Sequence, residues 1–314
     1  MTYRAIVVEK QGEEFAVRLQ ELSEGDLPAG EVTIRVEWSS INYKDGLALT
    51  PNGRVIRSYP MVPGVDLAGT VTESADGRFA KGDAVMVTGY DVGVAHPGGF
   101  AEMARIPADW VMKVPPGTAG MTAGLSVEAL EHNGLAPDQG TVIVTGSTGG
   151  VGSTAVSMLA QRGYTVAAST GKESEHAFLR ELGASEILPR EEVSAESGRP
   201  LEGERWAGAV DPVGGATTAY LIRTMKYGAG IALSGLTGGS AIGTTVFPFI
   251  LRGVNLLGID SVMCPMPKRE HIWNRLGGDL KPRGLMESIA VETDLDGVRE
   301  VCAQILAGKV KGRT

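Results

Sequence analysis

From residue 141 onward, short apolar runs alternate with segments of helical spacing, and this alternation constrains the fold more than any other feature of the sequence. The apolar runs include TVIVTG, YTVAAST, WAGAVD and NLLGID. Apolar strands that alternate with amphipathic helices predict a parallel sheet covered by helices on both faces. The number of runs predicts a six-stranded, doubly wound α/β domain.

The first third of the chain has a different rhythm. Runs with strand character, such as TYRAIVVE, EVTIRVEWSSIN and DLAGTVTES, are separated by Gly, Pro, Asp or Asn clusters. This pattern predicts a mainly antiparallel, twisted β domain. We therefore predict that residues 1–118 form the first part of this domain, 119–258 form a nucleotide-binding domain, and 259–314 return to the first.

A glycine-rich turn, VTGSTGGVGSTA at 144–155, joins the first strand of the alternating region to a helix. In that context Gly146, Gly149, Gly150 and Gly152 allow a tight turn, close approach of a pyrophosphate, and close packing of helix on strand. The N–H groups at the helix N-terminus would then bind the phosphate. The alternative is a glycine-rich turn without a ligand, but the strand before it and the helix after it favour dinucleotide binding.

The next strand ends at Ser169-Thr170-Gly171-Lys172. Enzymes that use the unphosphorylated cofactor usually place Asp or Glu there, to bind the ribose 2′-hydroxyl. Here the position is neutral, Lys172 follows it, and Arg190 ends the following strand, so two cations are available to a 2′-phosphate. The sequence therefore predicts NADPH rather than NADH. The alternatives are a solvated lysine at a helix start and a surface arginine.

Charge and composition argue against several other classes of function. The net charge is −8 and no Lys/Arg run is long enough to grip nucleic acid or an anionic membrane surface. No apolar stretch reaches membrane-spanning length, and no leader peptide is recognisable at the start, so we expect a cytoplasmic protein. The two cysteines and four scattered histidines predict neither a disulfide framework nor a zinc site. The nicotinamide is then expected to carry the chemistry.

With these motifs in place, the chain resembles the zinc-independent medium-chain dehydrogenase/reductase superfamily. More closely, it is similar to the acrylyl-CoA reductase branch of the quinone-oxidoreductase-like proteins. The similarity runs nearly end to end, and it is carried by WSSINYKDGLA at 38–48, YPMVPGVDLAGTV at 59–71, GTAGMTAGLSVEALE at 117–131 and TTVFPFILRGVNLLGIDSVMCP at 244–265. The resemblance implies a GroES-like catalytic β domain beside a Rossmann-type domain, and a homodimer.

The activity that the resemblance implies is NADPH-dependent reduction of the carbon–carbon double bond of a short 2-enoyl thioester, acrylyl-CoA giving propionyl-CoA. Hydride goes to the β-carbon, and the carbonyl oxygen takes up the enolate charge. One alternative is a general NADPH-dependent quinone or enone reductase with the same fold. Another is an NADPH-binding sensor or RNA-binding protein that has kept the fold and lost turnover.

The resemblance also implies roles for particular residues. Tyr43 is expected to donate a hydrogen bond near the nicotinamide and the substrate carbonyl, and Asn42 to orient the substrate or its own loop. A half-buried structural tyrosine is the alternative for Tyr43, and a local Lys44–Asp45 ion pair is another possibility in this stretch. Asp66 is expected to be a buried carboxylate that caps backbone groups. The cofactor-binding residues implied by the resemblance are Tyr43, Thr148, Gly149, Gly150, Val151, Thr170, Gly171, Lys172, Arg190, Leu236, Ile250 and Ser261.

Roles are also expected for three further residues. Arg252 is considered for a CoA phosphate or an interdomain ion pair, and Met263 and Trp273 for core packing. The sequence also departs from the family in two places. The segment near 117 is shorter than in relatives, and the sequence stops at KGRT, where the family continues into an apolar strand. We therefore expect a helix and an edge strand of the catalytic domain to be absent, or not represented in this sequence.

Overall fold

The structure is a computed structural model that describes residues 1–113 and 120–314. The chain forms two compact units, one of Met1–Pro116, Val262–Glu270 and Val291–Thr314 and one of Gly117–Ser261 and His271–Ala290. The boundary predicted at 118/119 and the short segment near 117 lie outside the described residues. The domain limits derived from the sequence stay a prediction.

The first unit is built on antiparallel strands. Strands β1 (Thr2–Gln11) and β2 (Glu14–Ser23) pair along their whole length around a turn at Gly12, whose φ is +62°. A five-stranded sheet has the order β6-β3-β4-β5-β7. Its strands are β3 (Val32–Trp38), β4 (Asp66–Ser74), β5 (Ala84–Thr88), β6 (Met103–Ile106) and β7 (Met112–Lys113). The predicted antiparallel β domain is confirmed, but β2 was not among the predicted strands.

A short helix, α1 (Tyr43–Ala48), interrupts the strands of the first unit. The core of the five-stranded sheet comes from alternate residues, such as Ile34 on β3 and Leu67 and Val71 on β4, which are at most 2% exposed. This is the period of two expected where one face of a sheet is buried.

The second unit contains a six-stranded parallel sheet in the order β10-β9-β8-β11-β12-β13. The strands are β8 (Val142–Val144), β9 (Val166–Thr170), β10 (Glu186–Pro189), β11 (Trp206–Asp211), β12 (Met225–Leu233) and β13 (Asn255–Gly258). The helices that accompany them are α2 (Met121–His132), α3 (Gly150–Gln161), α4 (His176–Glu181), α5 (Gly215–Thr224) and α6 (Phe247–Arg252). The predicted doubly wound Rossmann-type sheet is confirmed.

The order of this sheet reverses between β8 and β11, because β9 and β10 lie on one side of β8 and β12 and β13 on the far side of β11. Nucleotides bind at the carboxyl ends of strands where such a reversal occurs. The central strands are buried throughout, as with Ile143, Ala209 and Ile231, all 0% exposed. Their continuous apolar runs therefore follow from burial on both faces of the sheet.

Two further α-helices follow β13 in the chain, α7 (Met266–Gly277) and α8 (Val298–Leu306). Helix α8 packs on α1 within the first unit, and a Cβ atom on Gly46 would lie 3.0 Å from Cγ of Leu306 and 3.1 Å from the carbonyl oxygen of Cys302. A glycine at 46 therefore permits the close approach of the two helices. None of the helices in the described parts of the chain combines the length and apolarity needed to cross a bilayer.

Candidate functional site

The glycine-rich turn lies between β8 and α3, next to the end of β9. The backbone N–H and the hydroxyl of Ser147 both donate to the carbonyl oxygen of Ser169, at 3.1 and 2.9 Å. The hydroxyls of Thr148 and Thr170 lie 3.4 Å apart. These contacts hold the glycine-rich turn against β9, the strand whose end is predicted to lie beside the ribose 2′-phosphate.

The structural requirement for glycine differs among the positions of the turn. Gly146 has a φ of +52°, in the left-handed region that favours glycine. A Cβ on Gly152 would lie 2.6 Å from Cα of Ser147, so α3 packs directly on the turn. A Cβ on Gly149 would meet only the carbonyl oxygen of Gly146, at 3.4 Å. No packing among the residues that the structure describes therefore requires glycine at 149, whereas close approach of a phosphate would.

Helix α3 has twelve residues, and its N-cap, Gly149, offers no side-chain acceptor to the first turn. The N–H groups of Gly150 and Val151 precede the first intrahelical bond, which Ser153 donates to Gly149 at 2.8 Å. These groups and the positive end of the helix dipole suit a pyrophosphate. The turn thus fits the dinucleotide that the sequence predicts.

The two predicted cations come together at the end of β9. A Cβ on Gly171 would lie 2.6 Å from Nη2 of Arg190, so the guanidinium lies directly over this glycine. The N–H of Lys172 donates to the Thr170 hydroxyl at 3.1 Å. Burial lowers the pKa of Lys172, Glu175 raises it, and the charge of Arg190 lowers it further. The neighbouring side chains at the strand end, Ser169 and Thr170, are neutral and buried. This arrangement fits a 2′-phosphate.

The residues predicted for the nicotinamide side are spread over three further places in the second unit. Leu236 follows β12 and is 60% exposed, and Ile250 lies on α6 and is 69% exposed. The Ser261 hydroxyl accepts a hydrogen bond from that of Thr122 at 3.1 Å. Exposed aliphatic side chains of this kind are consistent with ligand contact, and their cofactor role stays a prediction.

In the first unit, Asn42 precedes α1 and takes part in a polar network with Asp66. The Asn42 amide donates to Oγ of Ser40 at 3.1 Å and to Oδ2 of Asp66 at 3.2 Å. Its Oδ1 accepts from Nη1 of Arg313 at 3.2 Å, and the same guanidinium nitrogen donates to Oγ of Ser40 at 3.0 Å. Asp66 also accepts the backbone N–H of Ser40 at 2.6 Å, so it caps a backbone group as expected, but it is half-buried rather than buried. The network fixes which way the Asn42 amide points.

Asp45 lies beneath this network and is 1% exposed. Burial, and then the nearby charge of Asp66, raise the pKa of Asp45 to about 7, although its carboxylate accepts the N–H groups of Asn42 and Val65 at 2.8 and 3.0 Å. No ion pair joins Lys44 to Asp45 among the described residues, so the local pair considered from the sequence is wrong. The physical reason is that Asp45 faces inward, toward backbone donors.

Tyr43 is the first residue of α1 and is 38% exposed. A ring with this exposure could contact a ligand. The same exposure is expected if Tyr43 is a half-buried tyrosine with a structural role only. The catalytic roles of Tyr43 and Asn42 therefore stay predictions.

Several weaker expectations are resolved by the side-chain contacts. Arg252 donates to the carbonyl oxygens of Arg223, Met225 and Glu202 within the second unit, the first two at 3.0 and 3.3 Å. These contacts, with an ion pair to Glu204 of the same unit at 3.8 Å, engage the partly buried guanidinium without a CoA phosphate. Trp273 is buried as expected, whereas Met263 is 61% exposed, contrary to the expected core packing.

Nothing among the described residues forms a cluster of three or more His, Cys, Asp or Glu side chains that could hold a metal ion. Cys264 and Cys302 are both buried, and burial, followed by the charge of Asp45, raises the pKa of Cys302 to about 12. A thiol with such a pKa stays protonated at neutral pH and is a poor nucleophile or metal ligand. The absence of a metal remains a prediction from the sequence.

The chain matches two family models, the alcohol dehydrogenase GroES-like domain over residues 28–116 and the zinc-binding dehydrogenase over residues 150–272. It is 48% identical to acrylyl-CoA reductase AcuI of Ruegeria pomeroyi, over 99% of this chain and 98% of the relative. It is 47% identical to the putative quinone oxidoreductase YhfP of Bacillus subtilis, over 99% of this chain and 97% of the relative.

The chain belongs to the medium-chain dehydrogenase/reductase superfamily. As a member of that superfamily it is an oxidoreductase. A solved structure of the yhdH oxidoreductase of Salmonella enterica in complex with NADP has a TM-score of 0.95 and 47% identity, covering 99% of this chain and 98% of that one. The structure of YhfP with NAD bound has a TM-score of 0.96 and 46% identity, covering 100% and 98%.

Two residues that the sequence did not single out are hydrogen-bonded to the candidate sites, Asp211 to Thr145 in the glycine-rich turn and Arg313 to Asn42. Asp211 ends an otherwise apolar buried strand, and a lone carboxylate in that position was a usable signal. Arg313, which binds Asn42, gave no local signal, because nothing near it in the sequence is periodic or unusual.

Proposed function

We propose that this protein reduces the 2,3 double bond of acrylyl-CoA to give propionyl-CoA, with NADPH as the reductant. The observation that carries the redox part of the proposal is the pair of cations, Lys172 and Arg190, at the end of β9 beside a glycine-rich turn that suits a pyrophosphate. The substrate part is supported by the near-full-length similarity to acrylyl-CoA reductase AcuI.

The residues that would hold NADPH divide by the part of the cofactor they face. The pyrophosphate would lie on Thr148, Gly149, Gly150 and Val151, where first-turn N–H groups are available. The 2′-phosphate would lie beside Thr170 and Gly171, between Lys172 and Arg190. The yhdH structure with NADP supports this choice of cofactor, although YhfP was crystallised with NAD.

When bound, NADPH supplies the hydride that is added to the β-carbon. The Tyr43 hydroxyl is proposed to donate a hydrogen bond to the thioester carbonyl, which gains charge in the transition state. Asn42 cannot rotate without breaking its contacts to Asp66 and Arg313, so its amide offers a preset orientation. Leu236, Ile250 and Ser261 are proposed to line the nicotinamide side.

A general NADPH-dependent quinone or enone reductase is the second candidate. Arg252 favours it, because the cation considered for a CoA phosphate donates instead to backbone carbonyls. The name of YhfP, a putative quinone oxidoreductase at 47% identity, supports it as well.

The test is the loss of nicotinamide absorbance with acrylyl-CoA or a simple quinone as acceptor, each with NADPH and with NADH. Turnover confined to acrylyl-CoA and NADPH, with propionyl-CoA as the product, is the expected result. Quinone reduction without thioester reduction would establish the second candidate. NADPH binding without turnover of either acceptor would contradict both and leave a sensor that has kept the fold.

We also propose that the protein is a cytoplasmic homodimer. Strand β13 is the terminal strand of its sheet, and Phe247 and Leu251 on α6 and Leu256 on β13 are 46%, 58% and 38% exposed. Apolar side chains beside a sheet edge are typical of self-association. Light scattering should give twice the chain mass, and Leu251→Glu should give a monomer. A monomeric wild-type protein would refute the proposal.

A further inference from the structure

Asp211 is a buried carboxylate at the end of β11, in a position that neither the cofactor contacts nor the catalytic residues proposed above use. It is 0% exposed, and β11 pairs directly with β8, which leads into the glycine-rich turn. Burying a charge is costly unless it is satisfied by hydrogen bonds or a counter-charge. A carboxylate retained at the phosphate-binding end of the sheet therefore requires an explanation.

Its hydrogen bonds explain how the buried carboxyl group is satisfied. Oδ1 accepts from Oγ1 of Thr145 at 2.6 Å and from the N–H groups of Val213 and Gly214 at 2.9 and 3.3 Å. Oδ2 accepts from Oγ1 of Thr218 at 2.5 Å. These donors belong to three different segments, the start of the glycine-rich turn, the turn after β11, and α5.

The turn after β11 is in close contact with the loop at 234–239, which follows β12. The N–H of Ser234 donates to the Asp211 carbonyl at 3.0 Å, and that of Gly238 donates to the Val213 carbonyl at 2.7 Å. A Cβ on Gly235 would lie 2.6 Å from the carbonyl carbon of Pro212. This loop carries Leu236, which is proposed for the nicotinamide side.

The same turn also contacts the glycine-rich turn. A Cβ on Gly146 would lie 3.0 Å from Cγ2 of Val213, and the N–H of Thr145 donates to the Val210 carbonyl at 3.0 Å. The turn after β11, which Asp211 begins, therefore contacts both the glycine-rich turn and the 234–239 loop. Thr145, at the start of the glycine-rich turn, donates a hydrogen bond to the Asp211 carboxylate.

We propose that Asp211 is a positioning residue that sets the glycine-rich turn relative to the 234–239 loop, so that the pyrophosphate and nicotinamide ends of the cofactor are held in one fixed relation. Its action on the glycine-rich turn runs through the Thr145 hydroxyl. The inference rests on the proposed binding of NADPH.

The experiment uses threonine variants, because Asp211→Ala would leave several buried donors without an acceptor and is expected not to fold. Thr145→Val keeps the shape of a side chain that is 1% exposed and removes its hydroxyl. The dissociation constant for NADPH, measured by nicotinamide fluorescence, should rise about 5- to 10-fold, since a turn that this hydrogen bond no longer holds must be ordered when the cofactor binds. Thr145→Ser restores the hydroxyl and should bind within about twofold of the wild type.

Thr218→Val is the matched control. It removes a hydrogen bond to the same carboxylate from a residue that is 0% exposed, but Thr218 lies on α5, outside both loops. Both valine variants should lower the melting temperature by similar amounts, and Thr218→Val should leave NADPH affinity within about twofold. Equal loss of affinity in both variants, or none in Thr145→Val, would overturn the positioning role. Failure of the wild-type protein to bind NADPH would instead refute the proposed function.

Discussion

Because the Arg190 guanidinium lies over Gly171, a substitution at residue 171 can test the choice of cofactor while Lys172 and Arg190 stay unchanged. In Gly171→Ala, the new Cβ would lie 2.6 Å from Nη2, 2.9 Å from Cζ and 3.0 Å from Nε of Arg190, whereas ordinary contacts are 3.4–4 Å. The guanidinium must therefore move by about 1 Å. Because it is the far end of a flexible side chain, the move should cost little stability, and the backbone at 171 needs no left-handed φ.

The effect on NADPH follows from that displacement. Moving a unit charge from about 4 to about 5 Å from a phosphate charge loses roughly 0.8 kcal/mol at an effective dielectric constant near 20. Losing one charge-assisted hydrogen bond would add about 1.5 kcal/mol or more. The displacement alone therefore gives about 0.8 kcal/mol and the two losses together about 2.3 kcal/mol, or roughly 4- to 50-fold in the dissociation constant. Arg190 is exposed, so screening by salt favours the lower part of this range, about 4- to 10-fold.

The assay is titration of NADPH and NADH by nicotinamide fluorescence, with the melting temperature measured in parallel. NADH has no 2′-phosphate, so its affinity should stay within about twofold. Gly198→Ala is the matched control, because a Cβ at this exposed position of the same unit meets no described atom within 4 Å, and it should change neither affinity. Unchanged NADPH affinity, or an equal loss for both cofactors, would refute the assignment of Arg190 to the 2′-phosphate.

Three further predictions concern single side chains. Lys172→Ala should raise the Michaelis constant for NADPH about tenfold and leave that for NADH nearly unchanged, since only NADPH offers a phosphate to the lysine, and equal effects on both would contradict the assignment. Tyr43→Phe should lower kcat roughly 10- to 100-fold, because it removes a donor to the developing enolate oxygen, and an unchanged kcat in steady-state assays would assign Tyr43 to structure alone. The pKa of Asp45, raised from 3.8 to about 7, means that between these pH values the folded protein holds a proton that the unfolded chain has released. Stability should therefore fall as pH rises, by up to about 1.4 kcal/mol per pH unit, and urea unfolding at pH 5 and pH 7 should show this slope in the wild type and lose it in Asp45→Asn.

Sequence reasoning succeeded where the signal was local. The buried strands of the second unit are apolar runs between turns, and the glycines at 146–152 stand between a strand and a helix, so periodicity and turn chemistry were sufficient. Strand β2 was missed because most of its residues are only half-buried or exposed, and EFAVRLQELS shows no clean alternation. Its pairing with β1 is decided by the tight turn at Gly12 and by the partner strand.

The side-chain contacts of charged residues were harder to predict. The sequence could suggest Arg252 as a cation that binds a phosphate. Only the fold brings the carbonyl oxygens of Arg223 and Met225 to its guanidinium. Lys44 and Asp45 are adjacent in the chain, yet the orientation of α1 buries one and leaves the other near the surface. Sequence adjacency does not decide on which side of a helix the two charges lie.

Residue periodicity and local backbone conformation were sufficient to predict the parallel sheet with its alternating helices and the glycine-rich turn, although not strand β2. Which polar groups meet depends instead on the packing of distant segments. Thr145 and Asp211 are 66 positions apart, and Ser40 and Arg313 are 273 positions apart, yet each pair is hydrogen-bonded. Such pairs leave no periodic trace in the sequence, since their contact results from the strand pairing and helix packing that bring distant segments together.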